Sequence, residues 1–138
     1  MPARIDRAAE ATGIQRGTRQ LSIMRSFFNR EVVERIIKRD FPQRSVSEVM
    51  DILDRYEAAD EELSWRTRLD ALKLSEGSLE KLKQQIGEAR RDFREVVMPA
   101  ETPRIFADVV AYARLPEDEK DRTSQEDLNE FLSWVQRS

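Results

Sequence analysis

Two groups of closely spaced carboxylates are the residues of this sequence best suited to chemistry. The first group is Glu57, Asp60, Glu61 and Glu62, and the second is Glu88, Asp92 and Glu95. The spacing of four and three residues in the second group places its members on one face of a helix. Like charges at such spacing repel each other by roughly 0.2–0.5 kcal/mol, so a bound cation would relieve a small cost.

A magnesium ion held by such acids across two helices would support hydrolysis of a nucleotide phosphate. The residues considered for this site are Glu61, Glu62, Glu88 and Asp92. The alternative is ordinary solvent-facing charge, because Arg91 and Arg94 lie close to the second group and exposed ion pairs contribute little. The sequence leaves both interpretations open.

The chain of 138 residues has no Cys and no His, and this narrows its chemistry. Disulfides, thiolate nucleophiles, iron–sulfur clusters, imidazole catalysis and imidazole metal sites are excluded. Apart from the magnesium alternative, we expect no cofactor and no catalytic activity.

Arginines near the amino terminus are the second constellation of interest. Ala9, Gly13 and Ile14 match the small residue, turn glycine and following apolar residue of a helix-turn-helix unit. Phosphate contacts would then come from Arg4, Arg7, Arg16 and Arg19. This pattern predicts a partial helix-turn-helix at residues 5–22 and makes a DNA-binding regulator the alternative function.

The second half of that motif departs from the pattern. Arg19 and Ser22 stand where the recognition helix needs apolar residues, and Gly17 lowers the helix propensity. The competing interpretation is a basic amino-terminal segment, residues 1–17, loosely attached to a single helical domain over residues 18–138.

Charge divides unevenly along the chain. Residues 1–44 carry 10 basic and 5 acidic side chains, a net +5, whereas residues 45–138 carry 14 and 22, a net −8. A basic first third favours an anionic partner, either an acidic protein surface or DNA. No apolar run is long enough to span a bilayer, so we expect a cytosolic protein without membrane contact.

Apolar residues recur every three or four positions, which predicts an all-α fold built as an irregular bundle of five or six helices. The predicted segments are 18–39, 45–56, a stretch containing Leu63 to Leu72, one from Ser75 or Ser78 to Met98, 103–113, and one beginning at Ser124. Capping signals are assigned to Ser45 with Glu48 and to Ser124 with Asp127. Pro42 and Pro99 are expected to stop helices.

Core positions follow from the same spacing. The helix after Pro103 is expected to bury Phe106, Val109, Val110 and Ala113. Heptad-like spacing links Leu72, Leu79, Ile86 and Phe93, with Leu82, Ala89 and Val96 as a second series. Core packing is also expected for Phe27, Phe28, Trp65 and Trp134.

Residues 49–103 resemble small bacterial helical proteins. The run from Leu53-Asp54-Arg55-Tyr56 through Leu72-Lys73-Leu74-Ser75 and Leu79-Glu80-Lys81-Leu82 to Asp92-Phe93-Arg94 carries the likeness. The resemblance covers about two fifths of the chain and implies a cytosolic helical module without assigning an activity. We therefore expect a non-catalytic protein–protein interaction or regulatory module, with a protein partner or self-association mediated by residues 1–44.

Overall fold

The computed structural model describes residues 21–138, in which all regular secondary structure is helical. The bounded helices are α1 (Arg30–Asp40), a 3-10 turn (Gln43–Ser45), α2 (Val46–Asp54), α3 (Glu61–Ser75), α4 (Leu79–Arg91), α5 (Arg94–Glu101), α6 (Pro103–Ala107), α7 (Val109–Ala113) and α8 (Glu117–Gln136). The predicted all-α class is confirmed. The count is nine within the described range, counting the 3-10 turn, where five or six were predicted.

The single helix predicted over residues 18–39 is interrupted. Residues 21–25 are helical, a turn follows, and α1 begins after Asn29. The Asn29 backbone is extended and its side-chain oxygen accepts from the Val32 N–H at 3.0 Å, as a preferred N-cap residue does. The predicted end at Phe41 is confirmed, because Phe41 is extended before Pro42.

The capping box predicted at Ser45 does not form. Ser45 ends the 3-10 turn with φ −98° and ψ −10°, and its side chain makes no capping hydrogen bond. An N-cap residue needs an extended backbone for its side chain to reach the free N–H groups ahead of it. Ser45 is already near-helical, so α2 continues from the turn without a side-chain cap.

Helix α3 lies at the centre of the fold and packs against α1, α4 and α5. Its N-cap is Asp60, whose carboxylate accepts from the Leu63 N–H at 2.7 Å. Glu76 and Gly77 both have positive φ and end the helix, and Ser78 caps α4. The interruption predicted between Ser75 and Ser78 is therefore confirmed.

The helix predicted to run from this break to Met98 is two helices. Helix α4 ends at Arg91, α5 begins at Arg94, and Pro99 lies inside α5 instead of stopping it. A proline removes one intrahelical N–H. Burial of Val96 and Ala100, together with the 2.8 Å bond from Thr102 N–H to the Met98 carbonyl, offsets that loss.

The last helix begins seven residues earlier than predicted. Pro116 precedes α8, and the first turn carries Glu117, Asp118 and Glu119, which favour a helix amino terminus. Ser124 and Asp127, assigned as caps from the sequence, are buried in the middle of α8.

One core is shared by α1 to α5 and α8. Its fully buried members are Val33, Ile36, Ile37, Val49, Ile52, Leu53, Leu69, Leu72, Leu82, Val96, Phe131 and Val135. Arg35 and Arg39 attach α1 to the end of α8 by donating to the Val135 and Trp134 carbonyls at 2.5 and 2.7 Å. Across residues 21–138, no helix has the length and hydropathy needed to cross a bilayer.

Candidate docking surface and buried carboxyl pair

Helices α6 and α7 expose the apolar side chains that the sequence assigned to the core. Phe106 is 39% exposed, Val109 50% and Val110 60%, and Ala113 is exposed as well. The prediction of a buried face here is therefore wrong. We call Phe106, Val109 and Val110 the α6–α7 face.

The face forms because Asp108 divides the predicted helix in two. Asp108 leaves the helical region, with φ −155° and ψ 88°, and its carboxylate accepts from the Ala111 N–H at 2.9 Å. An aspartate that caps a new helix in this way ends the preceding one. The apolar positions consequently do not continue as one helical stripe.

A buried carboxylate on α8 fixes the start of α6. Asp127 is 1% exposed and accepts from the Arg104 N–H at 3.2 Å, the Ile105 N–H at 3.4 Å and the Arg104 guanidinium at 3.0 Å. The hydrogen bond to Asp127 raises the pKa of Arg104. This carboxylate therefore supplies, from another helix, the acceptor that a local N-cap usually provides.

A second hydrogen bond connects α7 to α8. The Tyr112 hydroxyl lies 2.9 Å from the Ser124 hydroxyl. With Asp127 holding α6, the two short helices are anchored on their inner side, and the α6–α7 face is presented to solvent. The position of the α6–α7 face is therefore fixed by hydrogen bonds to α8.

The segment that carries this face, together with the first part of α8, is acidic. Residues 103–130 contain eight acidic and four basic side chains, a net charge of −4. Arg104 offsets part of it by pairing with Glu126 at 3.3 Å and Glu130 at 3.5 Å, besides Asp127. The net charge of this segment is nevertheless negative.

A second constellation is formed by three titratable groups between α3 and α5, two of which are buried carboxyls. The Arg66 guanidinium donates to both carboxylate oxygens of Glu101, with Nε 2.7 Å from Oε2. Glu101 is 5% exposed, and Arg66 also lies over the Phe28 ring, with Cζ 5.5 Å from its centroid. Asp70 is fully buried beside this pair.

The environment of Asp70 favours its neutral form. No hydrogen-bond donor among residues 21–138 reaches either carboxylate oxygen. Burial raises the pKa of Asp70 well above its usual range, the neighbouring Glu101 raises it further, and Arg66 and Lys73 act in the opposite direction. A hydrogen bond between the Asp70 and Glu101 carboxyl groups requires a proton on one of them.

Burial and neighbouring charge also act in opposite directions on the pKa of Arg66. Burial acts to lower the pKa of Arg66, but the hydrogen bond and the charge of Glu101 outweigh burial, and the net shift is upward. Arg66 therefore stays charged and keeps its ion pair with Glu101, while the pKa of the buried Asp70 is the one that is raised.

A cavity of about 190 Å³ adjoins these groups and contains Arg66, Glu101 and Asp127 in its wall, with Leu21 and Met24 on another side. The three charged groups in this wall are already engaged in ion pairs. Asp70, the one carboxyl of residues 21–138 with a strongly raised pKa, is 0% exposed and is not part of the wall. The charged groups of the wall therefore pair with one another, and Asp70 lies behind them.

Three of the four acids considered for magnesium are in separate ion pairs. Glu62 bonds to Arg25 at 2.9 Å, Asp92 bonds to Arg94 at 3.0 Å, and Glu88 pairs with Arg91. Glu61 lies at the start of α3, beside an open groove. Between residues 21 and 138, no group of three or more His, Cys, Asp or Glu side chains is arranged to hold a metal ion.

The proposed DNA contacts fall outside the described residues. Arg4, Arg7, Arg16 and Arg19 precede residue 21, as does nearly all of the partial helix-turn-helix. The aromatic residues expected in the core do pack there: Phe28 is buried, and Phe27, Trp65 and Trp134 lie partly buried against the core.

The sequence did not predict the burial of Asp70 or the contact of Asp127 with α6. Asp70 interrupts an otherwise apolar run between Leu69 and Ala71, which is the local signal that could have indicated it. Asp127 was noticed, but as a cap for its own helix instead of for α6.

Comparison with protein-family models, with curated proteins and with solved structures gives no match to this chain. Its function must therefore be inferred from the geometry and charge of these surfaces.

Proposed function

We propose that this chain is a cytosolic, non-catalytic protein-interaction module that docks a protein partner on the α6–α7 face. The observation that carries the proposal is the exposure of Phe106, Val109 and Val110 within five consecutive residues. Isolated apolar side chains are common on protein surfaces, but clustered ones are typical of interaction sites.

The anchoring of the face supports the same function. Because Asp127 and Ser124 hold α6 and α7 from the inner side, little ordering is needed when a partner binds. Covering apolar surface contributes about 25 cal/mol per Å², so three half-exposed side chains supply a few kcal/mol. That energy suits a small interface assisted by neighbouring polar contacts.

A differential pull-down from the native extract tests the proposal. The baits are the wild-type chain, Val110→Asn in the face, and Ile23→Asn, which changes another exposed apolar residue, outside α6 and α7. We expect the wild type and Ile23→Asn to retain the same proteins and Val110→Asn to lose them. Equal retention by all three baits would contradict the assignment of the face.

A fourth bait lacking residues 1–17 addresses the basic segment. If the truncated chain keeps every partner and its oligomeric state, the amino-terminal arginines are not the docking element. If it loses the partners that Val110→Asn keeps, residues 1–44 replace the α6–α7 face as the proposed site.

A further inference from the structure

We infer that the partner segment on the α6–α7 face is a basic amphipathic helix, selected by the acidic first half of α8. This inference rests on the proposed function, because it names the chemistry of the partner for the same surface. It goes further by assigning a charge and a secondary structure to that partner.

The charge argument starts with the position of α8. Arg104 on α6 contacts Glu126 and Glu130, and Tyr112 on α7 contacts Ser124. These contacts place α8 next to α6 and α7. The acidic residues of its first half therefore belong to the same part of the molecule as the face.

The acids at the start of α8 are too many to be explained by the helix terminus alone. Three acidic residues, Glu117, Asp118 and Glu119, occupy the first turn. A helix amino terminus is equivalent to about half a positive elementary charge, so most of their negative charge remains. Lys120 pairs with Glu117 at 3.6 Å and offsets one of them.

Negative charge near an apolar docking face selects among partners. It attracts Lys and Arg residues on the rim of an interface and repels acidic segments, which affects specificity and association rate more than final affinity. It also disfavours nucleic acid on this face, because the phosphate backbone carries the same sign of charge.

The form of the partner follows from what the surface offers. No strand occurs in the described part of the chain, so a partner has no sheet edge to extend there. Proline-rich segments dock in aromatic-lined grooves, whereas the α6–α7 face has one aromatic side chain, Phe106. An amphipathic helix presents apolar residues three or four positions apart, which matches an exposed apolar surface of this kind.

Isothermal titration calorimetry of the full chain with two synthetic peptides tests the inference. Both peptides are amphipathic helices of about five turns, or about 18 residues, one built from Leu and Lys and the other from Leu and Glu. Titrations at about 0.1 M and 1 M salt, where the screening length falls from about 10 Å to about 3 Å, measure the electrostatic contribution. We expect binding of the Leu/Lys peptide that weakens at high salt, and none of the Leu/Glu peptide.

Paired variants locate that binding. Val109→Asn with Val110→Asn should weaken it at least about tenfold, which corresponds to about 1.4 kcal/mol. Asp118→Asn with Glu119→Gln should weaken it about threefold at low salt, as expected for rim charges. The matched control, Glu57→Gln with Glu80→Gln, removes the same charge from exposed positions outside α6 to α8 and should leave binding unchanged.

Each of the following outcomes would overturn a stated part of the proposal. Equal binding of the Leu/Glu peptide would overturn the charge assignment and leave the docking function standing. Unchanged Leu/Lys binding in the Val109→Asn, Val110→Asn chain would overturn both. A dimer in sedimentation analysis that becomes a monomer in that variant would make a second copy of this chain the occupant, and would overturn the inference of a separate partner.

Discussion

Arg66 holds Glu101 by two hydrogen bonds, and that pairing leaves the neighbouring Asp70 carboxyl without a cation of its own. Glu101 satisfies the guanidinium, so the adjacent Asp70 has no cation of its own at hydrogen-bond distance. Two carboxylates and one guanidinium in a buried space carry excess negative charge, which protonation of Asp70 removes. The group is therefore an ion pair with a buried acid of raised pKa beside it.

Asp70→Asn should make the stability of the protein less sensitive to pH. Because the pKa of Asp70 is raised in the folded state above about 3.9, the folded chain binds more protons than the unfolded chain. Its contribution to stability is therefore complete below the unfolded pKa and is lost as pH rises through the folded pKa. Urea unfolding between about pH 4 and pH 9 measures this.

The amide of asparagine reproduces the neutral acid, since it can donate to Glu101. We expect the variant to lie within about 1 kcal/mol of the wild type at the acidic end, the typical worth of one hydrogen bond. Relative to the wild type it should gain stability toward alkaline pH. A difference between the two proteins that stays constant with pH would show that Asp70 does not titrate with folding.

Two phenylalanines distinguish the core from the α6–α7 face. Phe131→Ala removes a ring that is 0% exposed and should cost about 3–5 kcal/mol of unfolding free energy. Phe106→Ala should cost less than about 1 kcal/mol, because the ring is already partly solvated. Chemical denaturation of both variants provides the measurement, and equal losses would place Phe106 in the core, as the sequence predicted.

Local spacing predicted the helical core well. Leu72, Ile86 and Val96 were assigned to the heptad-like series and all three are buried. Phe93, of the same series as Leu72, is 37% exposed. The repeat failed at Asn29, because the apolar positions Met24, Phe28 and Val32 continue across the break at the same spacing. A helix break made by a side-chain cap leaves a hydrophobic stripe unchanged.

The candidate site was less predictable because its causes are not local. Spacing shows that Val109 and Phe106 are apolar positions of one segment, but it does not show whether anything covers them. That depends on how α6 is attached to α8, through contacts of Asp127 with residues more than 20 positions away. The burial of Asp70 against Glu101 is equally a result of how α3 and α5 pack.

Alanine substitution at two glycines would test the conformation of the turn between α3 and α4. Gly77 has φ +77°, and a Cβ atom there would lie 2.9 Å from the backbone oxygen of Asp40. Gly77→Ala should therefore destabilise the protein by about 1–3 kcal/mol, through the unfavourable φ and the backbone clash.

Gly87 is the matched control, because it lies inside α4 with nothing within 4 Å of an added Cβ atom. Gly87→Ala should stabilise the protein by about 0.5–1 kcal/mol, since alanine has the higher helix propensity. Thermal unfolding of the two variants should shift the midpoint in opposite directions. A Gly77→Ala protein as stable as the wild type would contradict the turn conformation.

Asp127→Ala should release α6 and α7 from α8. The substitution removes the acceptor of the Arg104 and Ile105 N–H groups and the partner of the Arg104 guanidinium, and should cost about 2 kcal/mol. Glu126→Ala is the neighbouring control, since Glu126 pairs with Arg104 at the surface and should cost less than about 0.5 kcal/mol. Amide hydrogen exchange should accelerate in residues 103–113 of the first variant while α3 keeps its protection. Uniform acceleration through both regions would indicate that Asp127 supports the whole fold instead of positioning the α6–α7 face.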